Sequence, residues 1–398
     1  MGLLKPLRKR IKKALRRRAE QQNFAERTKD IPPATFSIAI TGGMGDFIVV
    51  ARFWRDFLFK VGGGSFDVFS PSPIMSEWIF RSVPGFRLSF SMGLYEHSKP
   101  FYTYSFRINQ MIYIEKKPDS IDKIFTEATH SSHVFTAITN IEKRLHEIRP
   151  MAENHPRLDG MLGRYAVFKN KTRRDFLHYM AGIPYGGDEL DLQLAPAVLD
   201  RFGLQPKSYI TVHNGYDEAM GVTGQRATKA YHGWPEVIAE LQRRDPGLQV
   251  VQIGTPATST PINGAQLNLI GQTNLVEAAT LVAGAAFHLD NEGGFVHLAN
   301  AFGVRSCVVF GPTSKEYFGY PDNINFAPNA CGDCWWIEPN WMKECPRGFN
   351  NPICMSSHSP TEIAQSIILA TRGSPAAQSN QSVGVRTYEL ERSPRSVP

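Results

Sequence analysis

No apolar run in this 398-residue chain reaches the ~18 residues that a membrane-spanning helix needs, so no span is expected. The charged N-terminus is not followed by the apolar stretch of a secretory signal, and the expectation is a cytoplasmic protein. Cysteine is scarce, five in all, and without an export signal a disulfide framework is not expected. A basic excess is also missing from most of the chain. The net charge of +7 comes from residues 1–18, which hold nine Lys/Arg and no acid. The rest carries 35 basic against 37 acidic side chains. A near-neutral body argues against a nucleic-acid partner.

What is present is a soluble globular composition, 42% hydrophobic and 20% charged, long enough for two domains. In "MGLLKPLRKRIKKALRRRAEQQ", Leu4, Leu7, Ile11 and Leu15 recur at helical spacing while Lys and Arg cover the other faces. Residues 1–22 therefore suit an anionic membrane surface, each basic residue adding ~1 kcal/mol near the lipid. That would make the protein peripheral on the inner face of the cytoplasmic membrane. The plainer alternative is a solubilising tail. From Ser374 the chain turns polar and Ser/Pro-rich, as in a disordered tail. The expected organisation is a basic segment over 1–30, one domain over 31–200, a second over 201–373, and a tail over 374–398.

The first domain opens on "AITGGMGDFIVV" (39–50), an apolar strand (Phe36–Ile40) running into a glycine turn and a helix over Phe47–Lys60. The dinucleotide fingerprint fails here, because its third glycine would fall at Ile48. The phosphate loop fails for want of a lysine. Strands are expected at 66–70 and 110–115, and helices over 73–85 and 172–184. Residues 86–170 are poorly patterned. From Gln205 strands alternate cleanly with helices of 10 to 14 residues, which implies a parallel sheet covered on both faces, with ligands at the carboxyl ends of its strands. The glycines gather at those ends.

Gly293 and Gly294 stand where the chain enters a helix, a ready anion site with bare N–H groups. Lys229 and Arg226, on a loop after another strand, are cations that would offset charge on a leaving diphosphate. The alternative is that these glycines only close turns. For Asp46 the residues alone favour a helix cap.

"NEGGFVHLANAFGVRSCVVFGPT" (291–313) resembles the signature of the bacterial heptosyltransferases, glycosyltransferase family 9: an acid, a glycine two residues on, a histidine three further, an apolar helix, then Phe-Gly-Pro-Thr. Here these are Glu292, Gly294, His297 and Phe310 to Thr313. "GMGDFIVVARF" is similar to the family's first glycine turn, and "LNLIGQTNLVEAATLVAGA" to its Gly-x-Thr-x-Leu-x-Glu helix entry. The resemblance implies an α/β GT-B fold, two Rossmann-like, doubly wound domains facing across a cleft. It also implies inverting transfer of a sugar, usually heptose, from an ADP-sugar donor, with no catalytic metal or other cofactor. Asp46 would then be the general base, a role typically contributing 10²–10⁴-fold. The donor would be held by Lys229, Arg226, Glu292, Gly293, Gly294, His297 and Thr313, with His297 read as a packing or capping residue. The acceptor would be a glycan such as lipopolysaccharide core, or a protein. An epimerase or hydrolase, and a catalytically silent nucleotide-sugar-binding scaffold, are the competing readings.

Two departures from the family pattern stand out. The second-domain acid is commonly aspartate and here is Glu292, which suggests an altered donor or sugar pose. The phosphate-binding lysine usually lies two residues before the tryptophan that opens the next helix; here His232 holds that place and Lys229 lies five before Trp234.

In "CGDCWWIEPNWMKECPRGFNNPIC", Cys331, Cys334, Cys345 and Cys354 make the ligand count of a closed tetrahedral Zn or Fe site, the alternative being free thiols. Family members that glycosylate autotransporters resemble this chain in carrying a four-cysteine iron site in the same region. Trp335, Trp336 and Trp341 would cover that loop or stack on the donor. Cys307, in a strand, reads as a core residue.

Overall fold

The computed structural model describes residues 18–30, 34–118, 128–216 and 227–372. The stripe of residues 4–15, Arg226 and the tail over 374–398 lie outside the described residues.

Two sheets organise the chain. The first contains β1 (Phe36–Ile40), β2 (Phe66–Ser70), β3 (Phe86–Ser91), β4 (Tyr104–Ile108) and β5 (Ile112–Lys116) in the order β3-β2-β1-β4-β5. The second contains β6 (Tyr209–His213), β7 (Gln249–Gln252), β8 (Leu267–Asn268), β9 (Phe287–Asn291), β10 (Ser306–Val309) and β11 (Ile324–Phe326), ordered β11-β10-β9-β6-β7-β8. β1, β2, β6 and β9 are buried throughout, as strands covered on both faces must be. Every pairing is parallel except β4 with β5. The strand expected at 110–115 is therefore an antiparallel edge. Its cause is local: Asn109 N–H donates to the Met111 carbonyl, and so short a turn can only fold the chain back on itself.

Residues 18–28 form α1, whose Phe24 packs on Phe90 with ring centroids 4.9 Å apart, so the end of the basic segment is seated on the first sheet. α2 (Met44–Val61) starts three residues earlier than its apolar run implies, since extended Gly43 serves as its N-cap. The helix expected over 73–85 stops at Phe80; Val83 precedes Pro84 and is turned out of helical geometry. The one expected over 172–184 occupies Phe176–Ala181 and ends at left-handed Gly182.

Around the second sheet lie α3 (Trp234–Arg244), α4 (Leu275–Gly284), α5 (Gly294–Ala301) and α6 (Pro360–Arg372). Asn274 caps α4 by accepting from Glu277 N–H, and Glu277 accepts from Asn274 N–H in return. α2 packs on α5, which brings the turn after β1 face to face with the turn after β9. Among the described residues no helix is long and apolar enough to cross a membrane.

Candidate functional site

The first turns of α2 and α5 abut. A Cβ on Gly294 would stand 3.2 Å from Gly45 N, and one on Gly45 would stand 2.5 Å from His297 Cδ2. Side chains at either position would force the two sheets apart. Two helix N-termini thus meet at one point, each with unsatisfied N–H groups and a partial positive charge.

Asp46 is the third residue of α2, and its Oδ2 accepts from Gly43 N–H at 3.1 Å, so it does help to close the glycine turn. Its Oδ1 accepts from Arg173 Nη2 at 2.8 Å and from Gln110 Nε2 at 3.4 Å. A carboxylate has about four acceptor sites, and these contacts leave room for a hydroxyl donor on a side chain that is still 22% exposed. Arg173, only 1% exposed, also donates to the Asn109 carbonyl, and its own N–H donates to the Tyr317 carbonyl of the second domain. The Tyr317 hydroxyl donates to Gln110 Oε1 at 3.2 Å. Residues of both domains therefore hold the Asp46 carboxylate in one orientation.

On the facing side, Arg52 of α2 is fully buried and reaches across to the second domain. It donates to the Tyr320 hydroxyl at 2.6 Å and to the His297 carbonyl at 3.1 Å. Because that hydroxyl accepts from Arg52, its proton goes to His297 Nδ1, 2.7 Å away, which leaves the ring hydrogen on Nε2. Burial, reinforced by the cations Arg52, Arg173 and Lys229, holds His297 well below the usual histidine range and hence neutral. The imidazole is a wedge fixed between the domains.

Lys229 Nζ donates to Glu292 Oε2 at 2.5 Å, so the displaced lysine and the lengthened acid are partners. Glu292 directly precedes Gly293 and the start of α5. Thr313, on the turn after β10, is buried with a hydroxyl that has no partner among the described residues. Arg226 lies outside the described residues. A recess of about 680 Å³ is lined by Asp188, Asn300, Arg305 and Asp322, at the far end of α5, and includes none of these site residues.

Cys331, Cys334, Cys345 and Cys354 form no disulfide and lie within electrostatic reach of one another. Burial and the neighbouring sulfurs push Cys334 up to about 11 and Cys354 up to about 12. Among the described residues no group of three or more His, Cys, Asp or Glu side chains is arranged to hold a metal ion. The loop nevertheless supports the site. Thr228 donates its N–H to the Met342 carbonyl and its hydroxyl to the Trp341 carbonyl, which anchors Lys229 beside it. Trp335 and Trp341 are buried, Trp335 stacking on Tyr317, so neither presents a free face to a ligand.

Sequence reasoning missed Arg173, Arg52 and Gln110. For Arg173 the local pattern offers no signal, because the Phe176–Ala181 helix that follows already has Asp175 at its N-cap to complement its dipole.

Residues 216–345 match the model of glycosyltransferase family 9 (heptosyltransferase). No curated protein sequence matches the chain significantly. Among solved structures, the Escherichia coli ADP-heptose lipopolysaccharide heptosyltransferase II is 13% identical with a TM-score of 0.50, over 84% of this chain and 98% of that one. The iron-containing dodecameric heptosyltransferase TibC, in complex with ADP-D-β-D-heptose, is 16% identical with a TM-score of 0.55, over 85% of this chain and 76% of that one. The TibC structure from enterotoxigenic E. coli is 15% identical with a TM-score of 0.54, over 87% and 80%. These likenesses show the two-domain GT-B fold. The matched segment and the shared fold together support the heptosyltransferase family, glycosyltransferase family 9, for this chain.

Proposed function

We propose that the protein is an inverting glycosyltransferase that moves a sugar, heptose in the first instance, from an ADP-sugar to a hydroxyl of a glycan acceptor such as lipopolysaccharide core. The observation that carries this reading is the Asp46 carboxylate, oriented by Arg173 and Gln110 at the junction of two helix N-termini. Asp46 takes the proton of the acceptor hydroxyl as its oxygen attacks the anomeric carbon. The bond from that carbon to the diphosphate breaks on the opposite face, hence inversion. The departing negative charge is met by the start of α5 and by Lys229. Glu292 and Thr313 bind the donor's hydroxyls, and His297 keeps the domains at their spacing. No step needs a metal or other cofactor.

A protein acceptor is the second reading. The four-cysteine loop favours it, together with the likeness to iron-containing TibC. The four sulfurs suit iron or zinc in number and type, and a metal there would brace the loop that anchors Lys229 without entering the reaction. Residues 1–22 would carry the enzyme to the inner face of the cytoplasmic membrane. Their removal should abolish co-sedimentation with anionic vesicles, and a full-length protein that ignores such vesicles refutes that part.

The test is a thermal-shift panel of ADP, UDP, GDP and their sugars, followed by transfer assays with glycan and protein acceptors. ADP-heptose at 100 times its Kd should add ~2.7 kcal/mol of stability. Asp46→Asn should lower turnover at least 100-fold with donor affinity kept. Donor consumption without an acceptor would mean an epimerase or hydrolase. Binding without turnover, unchanged in Asp46→Asn, would mean a silent scaffold.

A further inference from the structure

Lys229, in the segment before α3, and Glu292, directly after β9, reach each other, and both are largely withdrawn from water, at 10% and 11% side-chain exposure. It is the one ion pair either residue makes among the described residues. An acid one methylene shorter at 292 would hold its carboxylate closer to the main chain, so the added reach of glutamate is what the lysine's position requires.

Breaking such a pair is tolerable only if both members find new partners, because an unpaired charge so far out of water is strongly disfavoured. A diphosphate at the start of α5 supplies the new partner for Lys229. It supplies none for Glu292, and it adds like charge beside it. Sugar hydroxyls, as donors, would satisfy the freed carboxylate. A ligand carrying diphosphate and sugar therefore compensates both residues, whereas a bare nucleoside diphosphate strands one.

We propose that Glu292 is a specificity-determining residue: it occupies Lys229 in the free protein and makes tight binding of a nucleoside diphosphate conditional on an attached sugar. This rests on the donor-site reading above. Once the sugar has been transferred, Glu292 loses its hydroxyl partners, returns to Lys229 and expels the nucleotide, so the same pair promotes product release.

The experiment is calorimetric titration of the full chain with ADP and with ADP-heptose, without acceptor, for wild type, Glu292→Gln and Glu292→Asp. Wild type should bind ADP-heptose at least tenfold tighter than ADP, a difference of about 1.4 kcal/mol. Glu292→Gln should bind ADP at least tenfold tighter than wild type, and its preference for the sugar-bearing ligand should shrink to within threefold. Glu292→Asp, which keeps the charge but loses reach, should move the same way by less, and it decides the matter if the glutamine variant does not fold. Folded variants that bind ADP no tighter than wild type overturn the role of Glu292 while leaving the donor site standing. If neither ligand binds any of the three proteins, the donor-site reading and this inference fall together.

Discussion

Gly45→Ala isolates the contact between the two domains. The new methyl would lie 2.5 Å from His297 Cδ2 and 3.2 Å from Nε2, about 1 Å inside normal carbon–carbon contact. The ring cannot step aside, because its Nδ1 is held by the Tyr320 hydroxyl and its carbonyl by Arg52. The helices themselves must part. Alanine gains up to ~1 kcal/mol over glycine in a helix, whereas overpacking costs ~1–3 kcal/mol. The net loss of stability should fall between zero and ~3 kcal/mol, a drop of at most several degrees in Tm. Function should suffer more, since a displacement of about 1 Å between reacting groups costs on the order of 10²-fold in rate. Sugar transfer and Tm should be measured beside Gly247→Ala, a surface turn whose nearest neighbour to the new methyl is Asp245 Oδ1 at 3.5 Å. That control should leave both unchanged. A Gly45→Ala protein with wild-type rate and Tm would refute the abutment of α2 and α5.

Two further outcomes test the surroundings of the site. His297 is held neutral in the fold, so below its ordinary value of 6.5 the unfolded chain binds a proton that the folded one refuses. Stability should fall as pH drops through 6.5, by up to about 1.4 kcal/mol per pH unit. His297→Gln should flatten a melting profile taken from pH 7.5 to 5, and identical profiles for the two proteins would contradict the assignment. The second outcome concerns the cysteine loop. On the metal-braced loop proposed above, elemental analysis of the purified protein should find iron or zinc, Cys334→Ser should release it, and ADP affinity should fall as well because Thr228 hangs from Trp341 and Met342. A metal-free protein whose Tm is unmoved by Cys334→Ser would leave the loop as free thiols.

Much of the second domain is legible in the residues. Its strands are short apolar runs that end at glycines, α4 carries its own capping box, and the 291–313 signature falls on β9, α5 and β10. The strand, glycine turn and helix around Asp46 can be read the same way. Less visible is the helix at Ala128–Glu147: it buries Val134, Ala137, Ile138 and Ile141 at helical spacing, but intervening Thr, Ser, His and Asn dilute the pattern. The short β4–β5 hairpin is hidden by a three-residue turn without glycine.

Local pattern determines which segments become strands and helices and where the glycines fall, because propensity and periodicity act over a few residues. Partners far apart along the chain are decided only by packing. Arg173 lies 127 residues from Asp46 and Glu292 lies 63 from Lys229. No local spacing encodes either distance. The packing of the Phe176–Ala181 helix against α2 sets the first, and the convergence of the β9 turn with the Lys229 loop sets the second.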